Sequence, residues 1–256
     1  MTADCVTLWI GERMGAVERA CLRSVMRQGH GVALYCYRTP HGVPAGVELR
    51  NAGEIVPESR VFTGRNGSFA AFSDWFRYEL LKRGLGTWVD TDMYLLHPLE
   101  MRTPYLFGEE SPGIINNAVL RLPADSPMLP ALLAPFEKDR VPSGLTWRQR
   151  LPLHMQQIFR GRPDLRGLPW GSTGPLAISA LAREFNLASQ ALPSDVFYPA
   201  SWRAPDWIRD PSVMLEEIIT ERTVGIHLWN ECIKGYKDAA APKGSFLDRL
   251  QREGRV

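Results

Sequence analysis

The chain opens on a short apolar run, Cys5 to Ile10, that stops at Gly11. A run of that length, closed by a turn residue, predicts a buried strand. Over residues 14–28 the spacing changes. Val17, Ala20, Cys21, Ser24 and Val25 recur at helical intervals, Glu18, Arg19, Arg23 and Arg27 fall elsewhere, and Gly29 follows. This predicts an amphipathic helix with a glycine stop. Residues 31–37 (GVALYCY) predict a second strand. Strand, helix and strand in that order predict a parallel pair with a right-handed crossover.

The stretch from Thr39 to Gly67 is rich in Gly and Pro, with room for one more strand near 47–56. A helix is predicted over 69–83, where Phe72, Phe76 and Leu80 stand four apart. Residues 87–91 (TWVDT) predict a strand that runs straight into acidic residues, and shorter strands follow at 105–108 and 114–122. Helices are predicted at 126–137, 148–160 and 175–186, and a strand at Thr223 to Trp229 that returns to the core. Residues 239–256 read as a tail with one short helix. No repeat or low-complexity linker interrupts the pattern. The expectation is therefore one α/β domain over residues 1–256, with breaks in character near 125 and 238.

Composition narrows the classes. At 256 residues the chain can bury a full core, and 45% hydrophobic content is ordinary for a globular protein. Thirty basic and 28 acidic side chains leave a formal charge of only +2, which gives no global field for nucleic acid. Cys5, Cys21, Cys36 and Cys232 form no C-x-x-C pair and read as small buried hydrophobes in a reducing compartment. No apolar stretch approaches the roughly 20 residues needed to span a bilayer. Nor does a basic segment precede an apolar one at the N-terminus. The expectation is a cytoplasmic protein, with peripheral contact at a membrane left open.

The sharpest chemistry lies in Trp88-Val89-Asp90-Thr91-Asp92. If the strand continued, alternation would aim both carboxylates the same way, at the sheet edge where α/β folds bind ligands. Two close carboxylates repel and need a cation or a shared proton. A hard divalent ion is the usual partner, and it keeps positions open for phosphate oxygens. A solvated turn is the plain alternative. In the preceding helix, Ser73, Asp74 and Arg77 share a face. As a helical ion pair, Asp74 and Arg77 would be worth only about 0.2–0.5 kcal/mol. As ligands, they could hold sugar hydroxyls and a phosphate oxygen, since Arg presents a planar fork of donors.

The run SDWFRYELLKRGLGTWVDTDMYLL (residues 73–96) resembles the donor-binding segment of the DXD-containing glycosyltransferases of family 32. That family includes bacterial capsular polysaccharide transferases and alpha-1,4-galactosyl- and mannosyltransferases, and it is similar to the catalytic domain of the clostridial glucosylating toxins. Other short blocks resemble the family in its order: Leu8-Trp9-Ile10-Gly11, Ile115-Asn116-Asn117-Ala118, Thr173-Gly174-Pro175 and His227-Leu228-Trp229-Asn230. One departure is Leu85, which stands where the family shows the first of two glycines, while Gly86 keeps the second.

The resemblance implies a GT-A-like, Rossmann-like α/β fold with helical insertions on the acceptor side. Residues up to about 125 would be the donor half, and 126–238 would hold acceptor-side and closing elements. It implies transfer of a hexose, with retention, from a UDP- or GDP-sugar to the hydroxyl of a glycan, a lipid-linked sugar or another acceptor, in polysaccharide synthesis. It implies Mn²⁺ or Mg²⁺ at Asp90, Asp92 and His227. It places the donor sugar against Asp74 and Arg77 with support from Ser73, the base against Trp9, and the cleft along Asn116 and Asn117. Thr173 and Gly174 form a turn at the donor, and Asn230 joins His227 near the pyrophosphate. Each block has a plainer reading as core, turn or helix start. Two rival functions stand beside this one. A haloacid-dehalogenase-like phosphatase also carries Asp-x-Asp after a strand, but there Thr or Val stands two positions after the pair, where this chain has Tyr94. The other rival is a non-catalytic sugar-binding protein. The arginines at 140, 148, 150, 160, 162 and 166 read either as a solvated face or as a contact for an anionic acceptor or phospholipid.

Overall fold

A computed structural model describes residues 3–64 and 67–255 of the chain, which is a mixed α/β protein. In chain order the elements are β1 (Cys5–Trp9), α1 (Ala16–Arg27), β2 (Val32–Cys36), β3 (Glu48–Asn51), α2 (Ala70–Lys82), β4 (Thr87–Val89) and β5 (Met93–Leu95). Next come β6 (Leu106–Ser111), β7 (Ile114–Arg121), α3 (Met128–Glu137), α4 (Trp147–Arg160) and α5 (Pro175–Glu184). The remainder are α6 (Ser194–Phe197), α7 (Leu215–Ile218), β8 (Gly225–His227), α8 (Asn230–Ile233) and α9 (Phe246–Arg255).

The chain forms two compact units. The first comprises residues 1–51, 89–103 and 192–256, and the second comprises 52–88 and 104–191. In the first unit β1 pairs with β2 and β2 with β3, all parallel, with Leu8 opposite Tyr35 and Leu34 opposite Leu49. β1 and β2 are almost wholly buried, so they read as continuous apolar runs. The predicted strand–helix–strand start is therefore present with its parallel pairing. A second, two-stranded ladder pairs β5 with β8 antiparallel, Met93 opposite His227. The core around it gathers Val17, Ala20 and Cys21 of α1, Tyr94, Ile226, Leu228 and Ile233. It also takes Phe246, Leu247 and Leu250. The stretch expected as a tail thus carries α9, a ten-residue helix that packs on α1. Its apolar residues recur at helical spacing, and a helix this short is held by tertiary packing of that face.

In the second unit β6 and β7 form an antiparallel hairpin closed at Gly113, φ +75°. α2 packs against α3, and α5 against β7 and α3. Phe72, Phe76, Tyr78 and Leu80 of α2 are fully buried, so the predicted Phe72–Phe76–Leu80 face is its core face. β4 carries the chain out of this unit, with Thr87 and Trp88 inside it and Val89 beyond. Two expectations need correction. Glu18, expected on the solvent side of α1, is buried. β4 stops at Val89, and β5 begins only after a turn.

The α1–α9 contact is tight. A Cβ on Gly254 would lie 1.8 Å from the Ala16 carbonyl oxygen. The Gly254→Ala variant should lose about 1–3 kcal/mol through overpacking. A melting temperature several degrees lower in scanning calorimetry is the expected outcome.

Candidate metal centre

The Asp90–Asp92 segment does not continue its strand. The Met93 amide donates to the Asp90 carbonyl (3.1 Å), so the chain turns at the first carboxylate before β5 begins. The β5–β8 ladder then brings in a residue more than 130 positions away. Leu228 donates its amide to the Asp92 carbonyl (3.0 Å), and His227 Nε2 lies 3.3 Å from Asp92 Oδ2 and 3.9 Å from Asp90 Oδ2. Gly225 makes this approach possible, because a Cβ there would sit 2.8 Å from Leu95 Cδ2. The carboxylates therefore converge through a turn and an antiparallel partner, where strand alternation was expected.

Asp92 and His227 are buried, and Asp90 is half-buried. Burial pushes the Asp92 carboxyl up. The charge and hydrogen bond of His227, with the Asn230 amide donating to Asp92 Oδ2 (2.7 Å), outweigh that and bring it down to about 2. Asp92 is therefore an anion at neutral pH. One oxygen or nitrogen from each of Asp90, Asp92 and His227 lies within 4.8 Å of the others. Ligands at about 2.0–2.2 Å from one ion are separated by about 3–4.5 Å, so the three fit a divalent cation.

A second group, Asp4, Cys5 and His30, has similar spacing but a different character. His30 Nδ1 bonds Asp4 Oδ2 (3.1 Å), and His30 Nε2 accepts the Leu99 amide (2.9 Å). Both ring nitrogens are taken by the protein, so this group is structural.

Several supports of the first centre gave no signal in the sequence. The ring of His227 lies against Trp229 (4.3 Å between centroids) and Tyr198 (5.8 Å). Trp229 has φ +56°, a left-handed conformation that is costly for a bulky residue, and its Nε1 donates to the Ala200 carbonyl (2.7 Å). Lys237 Nζ bonds both the buried Glu18 and Asn230 Oδ1. Glu18 and Lys237 are 219 residues apart, and no local pattern couples them.

In the second unit the predicted Ser73, Asp74, Arg77, Asn117, Thr173 and Gly174 form one largely buried cluster. Asp74 Oδ1 accepts from Asn117 Nδ2 (2.7 Å), and Oδ2 accepts from the Thr173 hydroxyl (2.7 Å). Arg77 donates to the Asn117 carbonyl (2.5 Å), the Ser73 carbonyl (3.4 Å) and Ser73 Oγ (3.3 Å). Its guanidinium lies over the Trp88 ring at 4.6 Å, and its Nε is 3.6 Å from Asp74. Burial raises the Asp74 carboxyl, against the opposing pull of Arg77, Thr173 and Asn117. Gly174 is needed where it stands, because a Cβ would lie 3.0 Å from both Asp74 and Asn117. Pro175 then opens α5.

The other two predicted residues stand apart from these groups. Asn116, next to Asn117 on β7, turns to Glu110 (2.5 Å) and accepts the Ala118 amide (2.8 Å). Alternation along the strand separates the two asparagines. Trp9 is half-buried at the end of β1, and its buried Nε1 has no acceptor among the described residues. A cavity of about 580 Å³ in the second unit contains none of the predicted residues. It is lined by Arg60, Trp75, Phe136, Arg160, Arg162 and Arg166 among others.

No family model matches the chain, and no curated protein matches it. Among solved structures the chain is similar to one named PaToxG Glycosyltransferase, with 13% identity and a TM-score of 0.46, over 72% of this chain and 70% of that one. A likeness this distant fixes neither family nor activity.

Two outcomes follow from the geometry. In chelator, the Asp92 carboxyl, lowered from 3.8 to about 2, stabilises the fold at pH above 3.8, and this stabilisation is lost as pH falls toward 2. Denaturant titrations should show the wild type losing about 2 kcal/mol over that interval, and Asp92→Asn should lack this acid limb. Burial also revises the Asp74–Arg77 pair from a surface ion pair to the centre of a network. Arg77→Lys should cost about 2–3 kcal/mol of unfolding free energy, since one ammonium cannot replace three separated donors. A loss below about 0.5 kcal/mol would return the pair to the surface class.

Proposed function

We propose that the chain is a metal-dependent glycosyltransferase of GT-A-like architecture that moves a hexose from a nucleotide diphosphate sugar to an acceptor hydroxyl. The observation that carries this reading is the convergence of Asp90, Asp92 and His227, two of them buried, on one point in the first unit. The two short blocks that resemble the family-32 donor segment and closing loop supply all three residues.

In this reading Asp92 holds the cation directly, Asp90 holds the cation, the ribose or both, and His227 completes the set. Asn230 fixes Asp92 through its amide. A divalent cation bound here supplies charge compensation for a diphosphate leaving group. Trp9 packs on the base and is free to donate its indole N–H. Asp74 and Arg77, with Ser73, Asn117, Thr173 and Gly174, hold the sugar, and Asn116 lines the cleft. Such tightly bonded groups act as a rigid template. Transfer with retention needs no dedicated base when the leaving phosphate accepts the acceptor's proton, and the proposal includes no such base. The four free cysteines, three of them buried, suit a reducing compartment such as the cytoplasm. Polysaccharide or glycan synthesis is the setting this reading favours.

The test is calorimetric titration of UDP and GDP with Mn²⁺, with Mg²⁺ and with chelator. Binding should weaken at least about tenfold in chelator, and Asp92→Asn should abolish the metal-dependent part. Affinity that is the same with and without metal would remove the assignment. A thermal-shift panel of UDP- and GDP-sugars with Mn²⁺ then identifies the donor, and release of phosphate from a generic phosphomonoester would favour the phosphatase.

A further inference from the structure

α4 is an amphipathic helix turned outward. Among the described residues, nine large hydrophobic side chains are strongly exposed, and five of them are on α4: Trp147, Leu151, Met155, Ile158 and Phe159. Trp147, Ile158 and Phe159 are 70%, 73% and 76% exposed. At about 100° per residue these five side chains fall within one stripe about 120° wide. Leu153, the only buried residue of the helix, lies nearly opposite the centre of that stripe. The helix therefore rests on its unit through Leu153 and presents its broad apolar side to solvent. Its ends are well defined. The Thr146 amide donates to Gln149 Oε1 (2.9 Å) at the start, and Gly161 has φ +75° at the stop.

The charge around the stripe is predominantly positive. Residues 140–170 contain six arginines and one aspartate, with no lysine or glutamate, so this stretch is five charges positive in a chain whose formal charge is +2. All six arginines are exposed, and Arg148 lies over the Trp147 ring at 5.3 Å. Arg160, Arg162 and Arg166 gather at the C-terminal end of the helix. Trp170, 61% exposed, adds another exposed aromatic to the same stretch of chain. At 14 residues α4 is too short to span a bilayer, and among the described residues no helix is long and apolar enough to cross one.

We propose that α4 and the arginine-rich segment around it dock the protein onto an anionic lipid surface. The apolar stripe lies in the headgroup–acyl boundary, with Trp147 and Phe159 as its anchors, while the arginines meet lipid phosphates. Charge complementarity favours a lipid bilayer over a second copy of the chain, whose own α4 would bring five like charges against five. The inference is independent of the transferase reading.

Co-sedimentation of the full chain with vesicles tests it. The protein should bind vesicles of phosphatidylcholine and phosphatidylglycerol, roughly 7:3, and bind pure phosphatidylcholine at least about tenfold more weakly. Trp147→Ser/Ile158→Ser/Phe159→Ser should lower partitioning about tenfold or more without lowering the melting temperature, because these side chains are exposed. Arg148→Gln/Arg150→Gln/Arg160→Gln should weaken binding to the anionic vesicles to a similar extent. Trp202→Ser, at another exposed indole, should change nothing. The single Phe159→Ser variant serves if the triple one fails to fold. The proposal is overturned if the wild type ignores anionic vesicles, if it binds neutral ones equally, or if the apolar variant binds normally. It is also overturned if light scattering shows a wild-type dimer that the apolar variant loses while vesicle binding is absent.

Discussion

Two carboxylates placed a few ångströms apart inside a fold repel, and the surroundings of Asp90 and Asp92 are arranged around that repulsion. Asp92 Oδ2 is met by both an imidazole and a backbone amide. The imidazole in turn is fixed by a two-stranded ladder and two aromatic rings, and the amide by a helix start that Lys237 ties to Glu18. Asp90 keeps part of its surface in water. A buried carboxylate beside a more exposed one, with an imidazole within reach of both, suits a site that accepts a cation.

The second unit treats a buried carboxylate differently. Asp74 has hydroxyl, amide and guanidinium partners from three separate segments of the chain. Such a network fixes geometry, and losing one member leaves its partners buried and unpaired. Gly174 shows how closely the network is packed, since even a methyl group would meet two of its members.

Much of this was legible in the sequence. The apolar runs placed β1, β2 and β7 within a residue or two, and α2 was legible because Phe72, Phe76 and Leu80 repeat at helical spacing. His227 was legible only because the block around it resembles a family motif; by itself it is a histidine at the end of a short apolar run. β5 was missed. Three residues following a turn read as the continuation of the strand before them, and only the partner from residues 225–227 makes them a ladder. Glu18 was assigned to solvent because local patterning sees charge and cannot see Lys237. Trp229 carried no turn signal, since its left-handed backbone is imposed by tertiary contacts at a residue that does not favour it. The short helix expected in the tail is α9, but its packing on α1 was not legible, because the surface a short charged helix covers lies far away in the chain.

The first unit is assembled from three stretches of chain with the second unit inserted between them. During synthesis, residues 52–88 and 104–191 are complete well before residue 227 has been added, so the Asp74 network can form while Asp90 and Asp92 still lack their imidazole. Until the β5–β8 ladder closes, these two aspartates lack His227, and β5 lacks its ladder partner. Ordering of the Asp90–Asp92–His227 cluster is thus a late event of high contact order. A nascent chain halted between residues 191 and 225 would hold every residue of the second unit but only part of the first, with the face of α1 that α9 later covers still bare.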